Sequence, residues 1–160
     1  MNNKTRFIAE AAVIAALYTV LTVCLAPVSS GVIQVRISEA MTILPCFTPA
    51  AIPGLFLGCL ISGFLTGLPL DAIVGSLATL AAAMLTYLLS RVIKSRRLVW
   101  LCALPPVLCN AIAIPFVLKY VYLYEGALWY FVLTVGAGEI ISAGILGMLL
   151  YKALTPFFKK

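Results

Sequence analysis

The sequence contains no histidine, and only 10% of its 160 residues are charged. Without histidine there is no imidazole general base, no Ser–His or Cys–His nucleophile, and none of the commonest metal-binding nitrogens. Five cysteines are present, Cys24, Cys46, Cys59, Cys102 and Cys109, but they are odd in number, scattered and never spaced as C-x-x-C. They read as small apolar packing residues and not as a disulfide or zinc framework. No GxxxxGK(S/T) phosphate loop occurs, so any dependence on ATP must come from another chain. There are five carboxylates and no paired-aspartate motif suited to metal–phosphate chemistry. These absences argue against an enzyme, and no metal or cofactor is expected.

What is present is apolar. Hydrophobic residues make up 64% of the chain and the mean hydropathy is +1.15, whereas a soluble domain is about half apolar and about a quarter charged. Disorder requires the opposite composition. At about 20 residues per span, the chain has room for about seven transmembrane helices and no separate catalytic domain. The expectation is an all-α polytopic membrane protein with a single transmembrane domain over 1–160. The N-terminal stretch has a basic start and an apolar run, as a signal peptide does. Its run from Phe7 to Ala26 is too long for that and reads as a retained first helix.

Clear apolar stretches occupy about 5–26, 70–90, 98–122 and 127–155, with a shorter, glycine-rich one at 50–67. The net charge of +6 would suggest nucleic acid in a soluble protein, but here its distribution matters more, and no nucleic-acid partner is expected. Nine of the eleven basic residues fall in three clusters: Lys4 and Arg6; Arg91, Lys94, Arg96 and Arg97; Lys152, Lys159 and Lys160. Basic clusters of this kind mark the cytoplasmic side. Returning from the first cluster to the second on one side takes an even number of crossings, and the clear stretches between them supply three. The fourth must come from 36–47. Twelve α-helical residues cover about 18 Å, too short to cross lipid alone, though a short or broken helix is allowed where it lines a protein interior. The result is six spans with both termini inside.

In that topology Glu39, Asp71, Glu125 and Glu139 lie between the midplane and the outside, with Glu10 near the cytoplasmic end. Ionisable groups inside a membrane are costly and are functional candidates by default. Arg36 and Glu39 are three apart and can neutralise each other on a helix, which does not exclude ligand contact. Asp71 can cap the fourth helix or meet a ligand. Glu139 lies in VGAGEIISAG, where small residues permit close helix approach, so it can serve as a strut or a ligand group. Glu125 reads as a solvated loop charge. Gln34 and Asn110 add amides in the outer half. Tyr120, Tyr122, Tyr124, Trp129 and Tyr130 fit an interfacial aromatic belt, from which one or two can stack on a planar ligand. In the first helix, Ala12 and Ala16, and likewise Ala11 and Ala15, form a small-x-x-x-small face suited to internal packing or to a partner helix.

The stretches QVRISEAMTILPCFTPAAIPGLFLGC, DAIVGSLATLAAAMLTYLLS, LPPVLCNA and VGAGEIISAGILG resemble the QueT family over about residues 5–152. That family comprises substrate-binding S components of energy-coupling factor (ECF) transporters assigned to queuosine precursors. The resemblance implies a six-helix subunit of a prokaryotic cell membrane that captures its ligand from outside. It would dock on a transmembrane coupling subunit and two cytosolic ATPases, and hydrolyse nothing itself. The coupling interface would map onto Ala12 and Ala16, with Ala11 and Ala15 as the neighbouring register. The implied ligands, queuine or 7-aminomethyl-7-deazaguanine, present a guanine-like donor edge, one carbonyl and a largely cationic amine. Carboxylates accept from the edge and the amine, an amide or Arg serves the carbonyl, and an aromatic ring covers the flat face. Gln34, Arg36, Glu39, Asp71, Asn110, Glu139 and Tyr120 are the candidate binding residues. The same inventory suits thiamin or another cationic heterocycle, and a small assembly subunit with no ligand is the alternative from another class.

Overall fold

The computed structural model describes residues 2–29, 35–67, 69–93 and 96–158, and among these every regular element is helical. Six helical segments follow one another. α1 is Asn3–Ser29, α2 is the ten-residue Ile37–Cys46, α3 is Ala51–Leu65 and α4 is Pro69–Val92. α5 is composite, running through a 3-10 stretch (Arg96–Ala103), an α-helix (Leu104–Phe116) and a π-helical turn (Val117–Val121). α6 joins Leu128–Glu139, a π-helical stretch Ile140–Leu146, and Gly147–Phe158. Four segments, Asn3–Ala26, Pro69–Val92, Leu98–Val121 and Leu128–Phe158, are long and apolar enough to cross a bilayer. The chain is a polytopic, all-helical membrane protein of six helical segments.

The short segment gains reach from its helix type. As an α-helix, ten residues would span about 15 Å, but at the 3-10 rise they span about 20 Å. Both of its ends are tied to α1. The Ser38 hydroxyl lies 2.8 Å from that of Thr22, and just beyond α2 the Thr48 hydroxyl donates to Glu10 Oε2 at 2.9 Å. Thr22 and Glu10 are about 18 Å apart along α1, so α2 runs antiparallel to α1 over that depth. The thin 3-10 segment has its residues from Ser38 to Ile43 buried, together with Pro45, inside a jacket of longer helices.

Further contacts order the two ends of the bundle. The Phe47 ring meets Tyr151 and Phe158 at centroid separations of 5.0 and 4.9 Å, bringing the last turns of α6 to the Glu10–Thr48 end. Thr86 Oγ1 donates to the Cys102 carbonyl at 3.0 Å and joins α4 to the start of α5. The first turn of α1, the last turns of α6 and the basic residues Lys4, Arg6, Arg91 and Lys152 therefore lie toward one end. The opposite end carries the first turn of α2, the last turn of α3, the first turn of α4 and the α5–α6 connection.

Packing is inverted relative to a soluble bundle. Ile8, Val13, Leu17, Leu57, Leu77, Met84, Leu88, Ile112, Leu133 and Leu149 face outward, while Ser38, Thr42, Ser76, Thr79, Thr86 and Ser142 are buried. Lipid gives no reason to hide leucine, so close approach and polar contacts hold the helices together. Gly54 and Gly58 of α3 let α1 approach closely. A Cβ at Gly54 would lie 2.8 Å from the Ala11 carbonyl oxygen, and one at Gly58 would lie 2.8 Å from Tyr18 Cβ. Ile14, Tyr18, Met41, Leu55 and Cys59 form the apolar core beside this seam.

Candidate functional site

Arg36 sits immediately before α2 in an extended conformation (φ −90°, ψ 100°). Its side chain therefore leaves the helix register and reaches across to the first turn of α4, where Nη2 donates to Asp71 Oδ2 at 2.6 Å. Gly75, one turn after Asp71 on the same face of α4, leaves room for the guanidinium, since a Cβ there would stand 3.9 Å from Nη1.

Glu39, in the first turn of α2, is 1% exposed. The Tyr18 hydroxyl of α1 donates to its Oε1, and its Oε2 has no hydrogen-bond partner among the described residues. Glu139 of α6 is 3% exposed. Its Oε1 accepts from Asn110 Nδ2 at 3.0 Å, and its Oε2 likewise has no partner among the described residues. The Asn110 amide also acts on Glu39, and the two glutamates lie within range of each other's charge and of Arg36. Glu139 is the last α-helical residue before the π stretch of α6. π-bulges re-space side chains and recur at functional positions. Cys59 of α3 and Thr79 of α4, 3.7 Å apart, border the cluster, and the buried hydroxyl of Tyr122 is without a hydrogen-bond partner among the described residues.

Arg36, Glu39, Asp71, Asn110 and Glu139 are thus brought together from α2, α4, α5 and α6, although up to 103 positions separate them in the chain. Gln34 lies outside the described residues. Tyr120 is not brought to the cluster. It is 65% exposed and stacks on Phe116 at 6.1 Å, on the outward face with Tyr124, Trp129 and Tyr130.

Three expectations are corrected. Arg36 grips Asp71 and not Glu39, because it stands outside the helix on which an i,i+3 pair would form. Asp71 is the third residue of α4 and accepts an ion pair, and so does not act as its N-cap. Ala11 and Ala15 are buried against Gly54 and Gly58 and face no partner, whereas Ala12 and Ala16 are exposed.

Tyr18 escaped the sequence reading, and Tyr122 was read only as one of the belt aromatics. The signal for Tyr18 was present, because it extends the inward face marked by Ala11, Ile14 and Ala15 at helical spacing. Tyr122 is two residues from Tyr120 and so points to nearly the opposite side of a helix; only one of them can face the cluster.

Among the described residues no group of three or more His, Cys, Asp or Glu is placed to hold a metal ion. Nor does any nucleophile stand beside a histidine base, since the chain has none. The chemistry the cluster offers is recognition: inward carboxylate oxygens as acceptors, a guanidinium and an amide as donors, and hydroxyls that do either.

No solved structure matches the chain. Queuosine precursor transporter QueT of Lactococcus lactis subsp. cremoris (strain MG1363) is 40% identical over 89 residues, 54% of this chain. The match spans about half of that relative's length, 53%. The family described as QueT transporter matches over residues 8–156, nearly the whole chain, and the chain belongs to that family.

Proposed function

We propose that the chain is the ligand-binding S subunit of an ECF-type importer and captures a queuosine precursor, queuine or 7-aminomethyl-7-deazaguanine, from outside the cell. The observation that carries this reading is the convergence of Arg36, Asp71, Glu39, Asn110 and Glu139 in one buried cluster within a bundle whose exterior suits lipid. A structural strut needs one satisfied polar pair; two unmatched carboxylate oxygens suit a donor-rich guest. Membership of the QueT transporter family and the name of the Lactococcus relative supply the substrate class.

The end bearing Lys4, Arg6, Arg91 and Lys152 faces the cytoplasm by the positive-inside rule, which puts all six segments across a prokaryotic plasma membrane with both termini inside. The cluster then lies toward the outer end, with Ser38 and the first turn of α4. Ala12 and Ala16, outward on α1 beside Val13 and Leu17, are the register left for a coupling subunit. Two cytosolic ATPases on that subunit supply the energy.

Calorimetric titration of the purified protein with queuine and with 7-aminomethyl-7-deazaguanine tests the reading. Saturable one-to-one heat with either supports it, and no heat with any 7-deazaguanine overturns the substrate assignment.

A further inference from the structure

Among the described residues, one guanidinium faces three carboxylates within the bundle: Arg36 against Asp71, Glu39 and Glu139. Asp71 matches Arg36 at 2.6 Å. Glu39 and Glu139 are 1% and 3% exposed, and each keeps an oxygen without a hydrogen-bond partner. The other groups turned toward them are Tyr18 from α1, Cys59 from α3 and Asn110 from α5, with the Tyr122 hydroxyl at the margin. None of these carries a positive charge. Neutral donors satisfy an acceptor's geometry, but they do not offset the cost of a carboxylate charge removed from water. A guest bringing its own cation does both, and a hydrogen bond to a charged group is the stronger kind.

We propose that Glu39 and Glu139, on two different helices, act together as a charge filter, making the site select a flat heterocycle that carries a protonated amine over a neutral molecule of the same shape. This rests on the binding role proposed above and adds the ligand's charge as the selected property. Glu139, held by Asn110 and carried at the edge of the π stretch, and Glu39, held by Tyr18, would each turn their free oxygen to the guest.

Two ligands differing in one group separate charge from shape: 7-aminomethyl-7-deazaguanine and its neutral 7-hydroxymethyl counterpart. Titrated into the wild-type protein near neutral pH, the amine is expected to bind about tenfold or more tightly than the alcohol. Glu139→Gln and Glu39→Gln keep size and an acceptor oxygen but lose the charge. Each is expected to narrow the gap to about threefold or less, mainly by weakening the amine. Unfolding temperatures of the ligand-free variants establish that each is folded. Equal wild-type affinities overturn charge selection while leaving the substrate reading intact. A wild-type preference that survives in both folded variants overturns the assignment to this pair. Binding of neither ligand overturns the filter, and binding of neither these nor queuine overturns the substrate class as well.

Discussion

Tyr18 holds one oxygen of Glu39 from a position 1% exposed, so its hydroxyl has consequences out of proportion to its size. Removing it takes from the buried carboxyl group the donor that meets its Oε1, at a cost of about 1–3 kcal/mol. Tyr18→Phe is therefore expected to lower the stability of the ligand-free protein by that amount in denaturant titration in detergent. Unchanged stability would show that the hydroxyl is not what satisfies Glu39. Tyr120→Phe is the contrasting change, and it should leave both stability and ligand affinity as they are, because the ring lies outward against Phe116. At this scale the sequence was most legible where polar residues interrupt apolar runs. Glu39, Asp71, Asn110 and Glu139 are conspicuous because so few polar groups are there to choose from. Their partners were not legible: the Arg36–Asp71 pair depends on an extended residue before α2, and the choice of Tyr122 over Tyr120 depends on the rotation of one helical end.

Helix number and order were legible from hydropathy together with the parity of the basic clusters, and α2 is a helix in a stretch that hydropathy alone reads as a loop. Helix type did not follow. The 3-10 form of α2 matches the depth it covers between Thr22 and Glu10, and no pattern in the sequence marks the π stretch after Glu139. Gly147 of α6 lies close to α2, where a Cβ would stand 3.4 Å from the Ala40 carbonyl oxygen. The α1–α3 seam gives a direct test of how the elements support the cluster. A methyl group at Gly58 meets Tyr18 Cβ at 2.8 Å and the Ala15 carbonyl oxygen at 2.9 Å. Gly58→Ala is expected to destabilise the protein by about 1–3 kcal/mol through overpacking and to weaken binding by displacing Tyr18. Gly136→Ala, whose nearest neighbour outside its own helix is Ala111 Cβ at 3.7 Å, should be tolerated. Thermal unfolding of the two variants side by side checks this, and equal effects would mean that the close approach is not a constraint.

At the scale of the whole molecule, a chain with 10% charge gathers Lys4, Arg6, Arg91 and Lys152 toward one end and its buried carboxylates Asp71, Glu39 and Glu139 around Arg36. Its exterior is left to lipid and to one outward small-residue strip on α1. Ala12→Trp and Ala16→Trp should therefore leave ligand binding unchanged while abolishing ATP-driven uptake in reconstituted vesicles, since bulk at a small-residue face blocks close helix approach. Full uptake would place the coupling surface elsewhere. The central claim is that the buried carboxylates, and not acidity in general, bind the guest. It is tested most directly by the dissociation constants of 7-aminomethyl-7-deazaguanine for Glu39→Gln, Glu139→Gln and Glu125→Gln, the last an exposed loop carboxylate. The account expects the first two to weaken binding about tenfold or more and the third to leave it within about twofold. Wild-type affinity in both buried variants, each shown to be folded, would contradict it.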